Sequence, residues 1–173
     1  MPAGKQLREM FYRAYDASLI TSFLGRLVAI SQNERRSVSG FLGEGIHFQS
    51  FEVECYPMPL AVNVAKASFS QRGEAAMARW EDAIRRARSL EGDSLIPPMD
   101  VVKASGLTAI VMPKGNLVSQ GGDRVIGSML LETSRALGQA GLVLDDYPQV
   151  REALGVPFIV DWSDLTSIVK NAR

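Results

Sequence analysis

One cysteine, Cys55, and one histidine, His47, are all that this chain of 173 residues carries of the residue types that build disulfides and thiol or imidazole metal centres. An internal disulfide and a multi-Cys/His zinc site are thereby excluded. Neither sign of charge is in excess, with 19 Lys plus Arg against 19 Asp plus Glu, so the chain as a whole is no polycation and any anion site has to be local. No run reaches the roughly 18 uncharged apolar residues that suggest a membrane span. The N-terminal stretch is interrupted by Arg8, Glu9, Arg13, Asp16 and Arg26, unlike the clean apolar core of a secretory signal. These absences predict a cytoplasmic protein without membrane insertion.

What is present fits a globular α/β fold. The apolar share is 46% and the charged share 22%, ordinary values for a packed domain. No internal repeat, low-complexity tract or long linker is visible, so residues 1–173 are expected to form one domain. Leu7, Phe11, Ala14, Leu19, Phe23, Leu27 and Ile30 recur at three- and four-residue steps and predict one long helix from Gln6 to about Ile30. A glycine-rich loop follows around Gly40, Gly43 and Gly45. Phe51, Val53 and Cys55 alternate with polar residues as in a half-wet strand, and Leu60, Val62 and Val64 suggest a second. Met77, Trp80, Ile84 and Ala87 return to helical spacing, with Glu81–Arg85 and Asp82–Arg86 one turn apart.

Farther on, Asp100 can cap a short helix through Val101, Val102 and Ala104 to Gly106, ahead of a strand from Leu107 to Met112. Lys114-Gly115 can turn the chain and Leu117-Val118 return it, before a helix from Asp123 to about Gly138. The tail reads as strand Leu142 to Leu144, a brief helix around Gln149 to Leu154, strand Pro157 to Val160 and a helical turn from Asp164. That order suggests a parallel strand pair in a mixed sheet with flanking helices.

The segment Ser119-Gln120-Gly121-Gly122-Asp123-Arg124 has the strongest chemical case. Paired glycines let backbone N–H groups approach a ligand, the helix start adds unpaired donors and a positive dipole end, and Arg124 can supply a two-donor fork. The same residues also suit a tight turn with Asp123 as an N-cap. They lack the Lys-Ser/Thr ending of a Walker loop and the three glycines of a dinucleotide fingerprint.

From Asp100 to Gly138, with Gly121 and Arg124 as a glycine-x-x-arginine motif opening a helix, the chain resembles the ParB/sulfiredoxin fold family. The resemblance implies a domain that binds ATP or another nucleoside triphosphate, with Mg²⁺, through residues 119–124. Among its smaller plasmid-borne members it implies ATPase and DNase activity in fertility inhibition, acting on DNA or on a conjugative coupling or secretion protein. Residue 125 is Val where many members carry a second basic residue, and no proline-arginine box accompanies the first strand.

Metal-assisted hydrolysis of nucleotide or DNA phosphoesters needs a carboxylate. Glu44, in Gly43-Glu44-Gly45 beside His47, is the catalytic candidate alongside Arg124; it reads equally as an exposed loop acid. Asp145-Asp146 follows a strand end and can bind a ligand or cap a helix. Arg79, Arg85, Arg86 and Arg88 can track a phosphate backbone or form a solvated, ion-paired face. Cys55 reads as buried filler, and Trp162 as either packing or a partner anchor. The second function class is a non-enzymatic adaptor or inhibitor that covers a partner protein, with the glycine turn purely structural.

Overall fold

Asp16 divides the N-terminal apolar stripe. In the computed structural model, which describes residues 3–90, 95–118, 123–144 and 149–168 and only the backbone of residues 123 and 124, the expected long helix is two: α1 (Ala3–Ala14) and α2 (Ala17–Val28). Asp16 takes an extended conformation, and its Oδ1 accepts from Ser18 N at 2.9 Å and Leu19 N at 3.4 Å. A side-chain acceptor for the first free amides restarts a helix at a new angle. Both helices keep apolar faces buried through Leu7 and Phe11, then Ile20, Phe23, Leu24 and Leu27.

After a 3₁₀ turn at Glu34–Ser37 come β1 (Phe41–Glu44), β2 (Phe48–Val53), β3 (Leu60–Ala65), β4 (Asp100–Ala104) and β5 (Leu107–Pro113). They form one antiparallel sheet in the order β1-β2-β3-β5-β4. The central strand β3 is buried throughout, which explains its nearly unbroken apolar composition. Its only strongly polar residue, Asn63, stands opposite Ser50 of β2 and Ile110 of β5. Between β3 and β4 lie α3 (Ala67–Ser70) and α4 (Glu74–Arg88). The stripe Met77, Trp80, Ile84 and Ala87 is buried as its spacing predicts, and α4 packs on β4.

The remaining chain supplies α5 (Asp123–Gln139), β6 (Leu142–Leu144), β7 (Val150–Ala153), β8 (Val156–Ile159) and β9 (Leu165–Ser167). β6 pairs with β9 and β7 with β8. The architecture is therefore α/β, with helices flanking sheets. Every ladder between the described strands is antiparallel, so the parallel pair expected in the tail is not formed.

Two-residue turns account for most other departures from the sequence reading. Residues 100–104, expected as a short helix, are strand β4, because Ser105 and Gly106 adopt φ of 54° and 77° and close a tight hairpin onto β5. Leu154 and Gly155, at 52° and 73°, do the same between β7 and β8, so the brief helix expected over Gln149 to Leu154 is a strand. The helical turn expected from Asp164 is β9, drawn into extended form by β6. Leu117 and Val118 belong to no strand; Asn116 alone bridges to Glu152. No helix among the described residues is long and apolar enough to cross a membrane.

Trp80 fastens the helical layer to the C-terminal segment. Its indole N–H donates to the Trp162 carbonyl at 3.0 Å, and the Trp162 indole donates to Ile159 O at 2.9 Å, all in the interior. Trp80→Phe keeps most of the apolar contact but leaves the buried Trp162 carbonyl with only its longer bond, from Leu165 N at 3.3 Å. A loss of about 0.5–1.5 kcal/mol is expected in denaturant unfolding; unchanged stability would show that this bond does not couple the two parts.

Candidate functional cleft

A cavity of about 730 Å³ opens between the β1–β2 hairpin and the strands β7 and β8. Its roof is the hairpin tip, Leu42 to Phe48. Its back wall is the face of the sheet bearing Ala61, Asn63, Ile110 and Met112, and the chain leaves that wall through Pro113-Lys114-Gly115. Gln149 and Arg151 of the β7 segment and Asp161 to Asp164 beyond β8 complete the floor. Gly115 is where the upper and lower parts touch: a Cβ there would collide with the Cβ of Arg151, so only glycine permits the approach.

The hairpin tip is held from below by side chains. Lys66, just past β3, donates to Gly45 O at 3.1 Å, and Ser68 Oγ donates to Ile46 O at 3.0 Å. Lys66 Nζ also lies 2.8 Å from Glu44, whose other oxygen pairs with Arg36. The hydrogen bonds from Arg36 and Lys66 hold the Glu44 carboxyl below its ordinary range. Glu44 is thus neither a free loop acid nor an isolated base: it lines the cavity as a carboxylate shared by two cations.

Asp161 also lines the cavity, and its Oδ1 accepts from Ser163 N at 3.1 Å and Ser163 Oγ at 2.8 Å. This turn points an exposed carboxylate from the end of the β8 segment toward the cavity. Asn63, on the wall, is engaged at both amide atoms: its Oδ1 accepts from Ser50 Oγ at 2.5 Å and its Nδ2 donates to Ile110 O at 3.4 Å. Behind the sheet, the buried Glu81 of α4 pairs with Lys103 and with Arg85 at 3.7 Å.

Of the residues singled out in the sequence, Glu44, His47 and Trp162 meet at this cavity. Ser119, Gln120, Gly121 and Gly122, with Asp145 and Asp146, lie outside the described residues; α5 does begin at Asp123, while the side chains of Asp123 and Arg124 are also outside the description. Cys55 is half-buried just beyond β2, its thiol pushed up by burial, and does not line the cavity. The arginine row on α4 is dispersed into pairs: Arg85 meets Glu81, Arg86 meets Ala140 O and Ser167 Oγ, and Arg88 meets Asp100. Arg86 does not take the expected Asp82 pairing. Asp161, Asn63 and Arg151 line the cleft and are missed by the sequence reading, as is Arg72, which stands beside it against His47 and Ser163. For Asp161 a signal exists, since it stands at the carboxyl end of an apolar strand, as Gly43-Glu44-Gly45 stands between two strands.

No protein-family model and no curated protein matches this chain. Among solved structures it is similar to the kinase domain of Mycobacterium tuberculosis PknI, in a cysteine-to-alanine mutant form, with a TM-score of 0.56 and 16% identity. The match covers 71% of this chain and 57% of that domain, so the chain spans little more than half the length of its structural neighbour. At this identity the likeness shows the fold.

The Glu44 cluster makes stability depend on pH in one direction. A carboxyl held low in the folded state contributes fully above its unfolded value, ordinarily 4.5, and the contribution fades as pH falls through the lower folded value. Melting curves of wild type and Glu44→Gln should therefore differ at neutral pH and converge in acid below 4.5. A difference that persists unchanged to the acid limit would refute the pairing.

Proposed function

We propose that this protein binds a nucleoside triphosphate in the cleft beneath the β1–β2 hairpin, and that binding rather than turnover is its role. The observation carrying this reading is that a Gly43-Glu44-Gly45 hairpin tip and Asp161 line one cavity, on a fold shared with a kinase domain. In protein kinases a glycine-rich loop covers the phosphates and an aspartate holds the metal that bridges them. The cavity volume suits a ligand of nucleotide size.

The donor set fits Mg²⁺ in a limited way. Mg²⁺ is commonly held by one or two carboxylates together with substrate phosphates and water. Asp161 would hold it, with Oδ1 already oriented by Ser163, and the ion would neutralise phosphate charge there.

Asn63 favours binding over turnover. Kinase catalysis uses a lysine on the third strand paired with a glutamate of the following helix. The β3 residues facing this cavity are Ala61 and Asn63, and the buried helix acid Glu81 is engaged by Lys103 and Arg85. Neither member of that ion pair is in service. This reading joins the nucleotide binding of the first function class to the non-enzymatic role of the second: nucleotide occupancy would brace the hairpin against the floor and set the surface offered to a partner protein. DNA cleavage and nucleotide hydrolysis have no support in the described residues beyond the acids Glu44 and Asp161.

Calorimetry with ATP, with and without Mg²⁺, tests the reading. Wild type should bind saturably and more tightly with the metal, Asp161→Asn should lose the metal-dependent increment while retaining metal-free binding, and phosphate release should stay at background. Absence of saturable binding by folded wild type would overturn the proposal, and robust turnover would overturn its non-enzymatic half.

A further inference from the structure

The cations that line the cavity, Lys114 and Arg151, stand where the chain leaves the sheet and on the floor rather than on β3, and one arginine from outside the sheet touches two further lining residues, His47 and Ser163. We propose that Arg72, in the connection between α3 and α4, is the phosphate-gripping cation of this cleft, replacing a charge that β3 does not provide. The inference rests on the nucleotide reading above and assigns the residue that recognises the phosphates.

Three observations place it there. Arg72 Nη2 lies 2.9 Å from His47 Nε2, and Nη1 donates to Ser163 O at 3.5 Å, so the guanidinium spans from the hairpin tip to the segment that carries Asp161. Both contacts are cavity-lining residues. Second, the guanidinium carbon lies 4.3 Å from the centroid of the Phe69 ring, which is itself packed against Phe48 and Trp80. A planar cation stacked on a fixed aromatic face is oriented before a ligand arrives.

Third, its charge is not neutralised. No carboxylate pairs with Arg72 among the described residues; its partners are a ring nitrogen, a carbonyl and an aromatic face. Because guanidinium can only donate, His47 Nε2 must accept and therefore carries no proton in this contact. The neighbouring cations Lys66 and Arg36 differ in this respect, being committed to Glu44. An arriving phosphate would find in Arg72 a two-donor fork whose present acceptors are uncharged, and charge-assisted bonds to phosphate are the stronger ones.

The test compares ATP, adenosine and inorganic tripolyphosphate on wild type, Arg72→Ala and Arg72→Lys, with thermal melts confirming that each is folded. Arg72→Ala should weaken ATP by roughly 10- to 100-fold while changing adenosine by less than about twofold, the pattern of a lost charge-assisted contact. Tripolyphosphate should displace ATP from wild type and fail to bind the alanine variant. Arg72→Lys should fall between the two, keeping charge without the fork. Equal weakening of ATP and adenosine would mean that Arg72 only braces the hairpin, and an unchanged ATP affinity would remove it from the site; either overturns this assignment. Wild type that binds neither ATP nor adenosine would instead bring down the nucleotide reading itself.

Discussion

The hydrogen bond from the Trp80 indole to the Trp162 carbonyl is the contact on which the cleft depends. It joins the hairpin, the sheet and α4 to the segment carrying Asp161, in company with the bonds of Arg86 to Ala140 O and Ser167 Oγ and the bridge between Asn116 and Glu152. Trp80 also sits against Phe48 of β2 and Phe69 of α3, with ring centroids 5.8 Å and 5.1 Å away. A single side chain therefore touches the strand that leaves the roof, the helix that pins the roof, and the backbone of the floor. Burial makes the arrangement sensitive: Trp162 is 2% exposed, and without the indole its carbonyl would keep only the longer bond from Leu165 N at 3.3 Å. Positions of Asp161 and Ser163 relative to the hairpin follow from this anchoring, since they flank Trp162 in sequence.

Electrostatics in the cleft follow from a substitution of roles. The central strand presents Ala61 and Asn63 to the cavity rather than a cation, and the Asn63 amide is engaged by Ser50 and the Ile110 carbonyl. The acids have consequently found other partners. Glu44 is neutralised from the edge by Arg36 and Lys66, and Glu81 from β4 and its own helix by Lys103 and Arg85. Burying Glu81 at 5% exposure is tolerable only with such pairing, which ties α4 to β4 and leaves nothing of that carboxylate for the cavity. The acids on the sheet and on α4 are thereby paired within the fold, while Asp161 and Ser163 of the cavity lining lie outside the strands.

Periodicity in the sequence is enough for the buried faces of α1, α2, α4 and for β3, because a stripe at 3.6 residues or an apolar run is written in the side chains that pack. It is not enough for Asp16, whose break in the N-terminal helix depends on one carboxylate accepting two amides while the apolar stripe continues across it. Short segments at 100–104 and 150–153 look helical in sequence because a few apolar residues beside a cap or a glycine fit either period. What decides them is positive φ at Ser105 and Leu154, non-glycine residues that announce no turn by themselves and do so only beside Gly106 and Gly155. The tail misleads for a related reason: β9 is three residues long and is extended because β6 lies beside it, a long-range pairing with no local signature.

The site illustrates why two similar glycine motifs carry unequal information. Gly121-Gly122 before a helix and Gly43-Glu44-Gly45 between two strands both offer close backbone approach, and the helix start has the additional appeal of a dipole. A helix end has its donors whatever the rest of the chain does, so its chemistry is complete in the sequence and unspecific for that reason. A hairpin tip acquires its chemistry only when something faces it. Here Lys66 and Ser68 fix its carbonyls, Gly115 lets the lower strands come close, and Asp161, Ser163 and Arg72 arrive from positions roughly a hundred and a few tens of residues away along the chain. Those distances, rather than the glycines, make it a cleft with opposed walls.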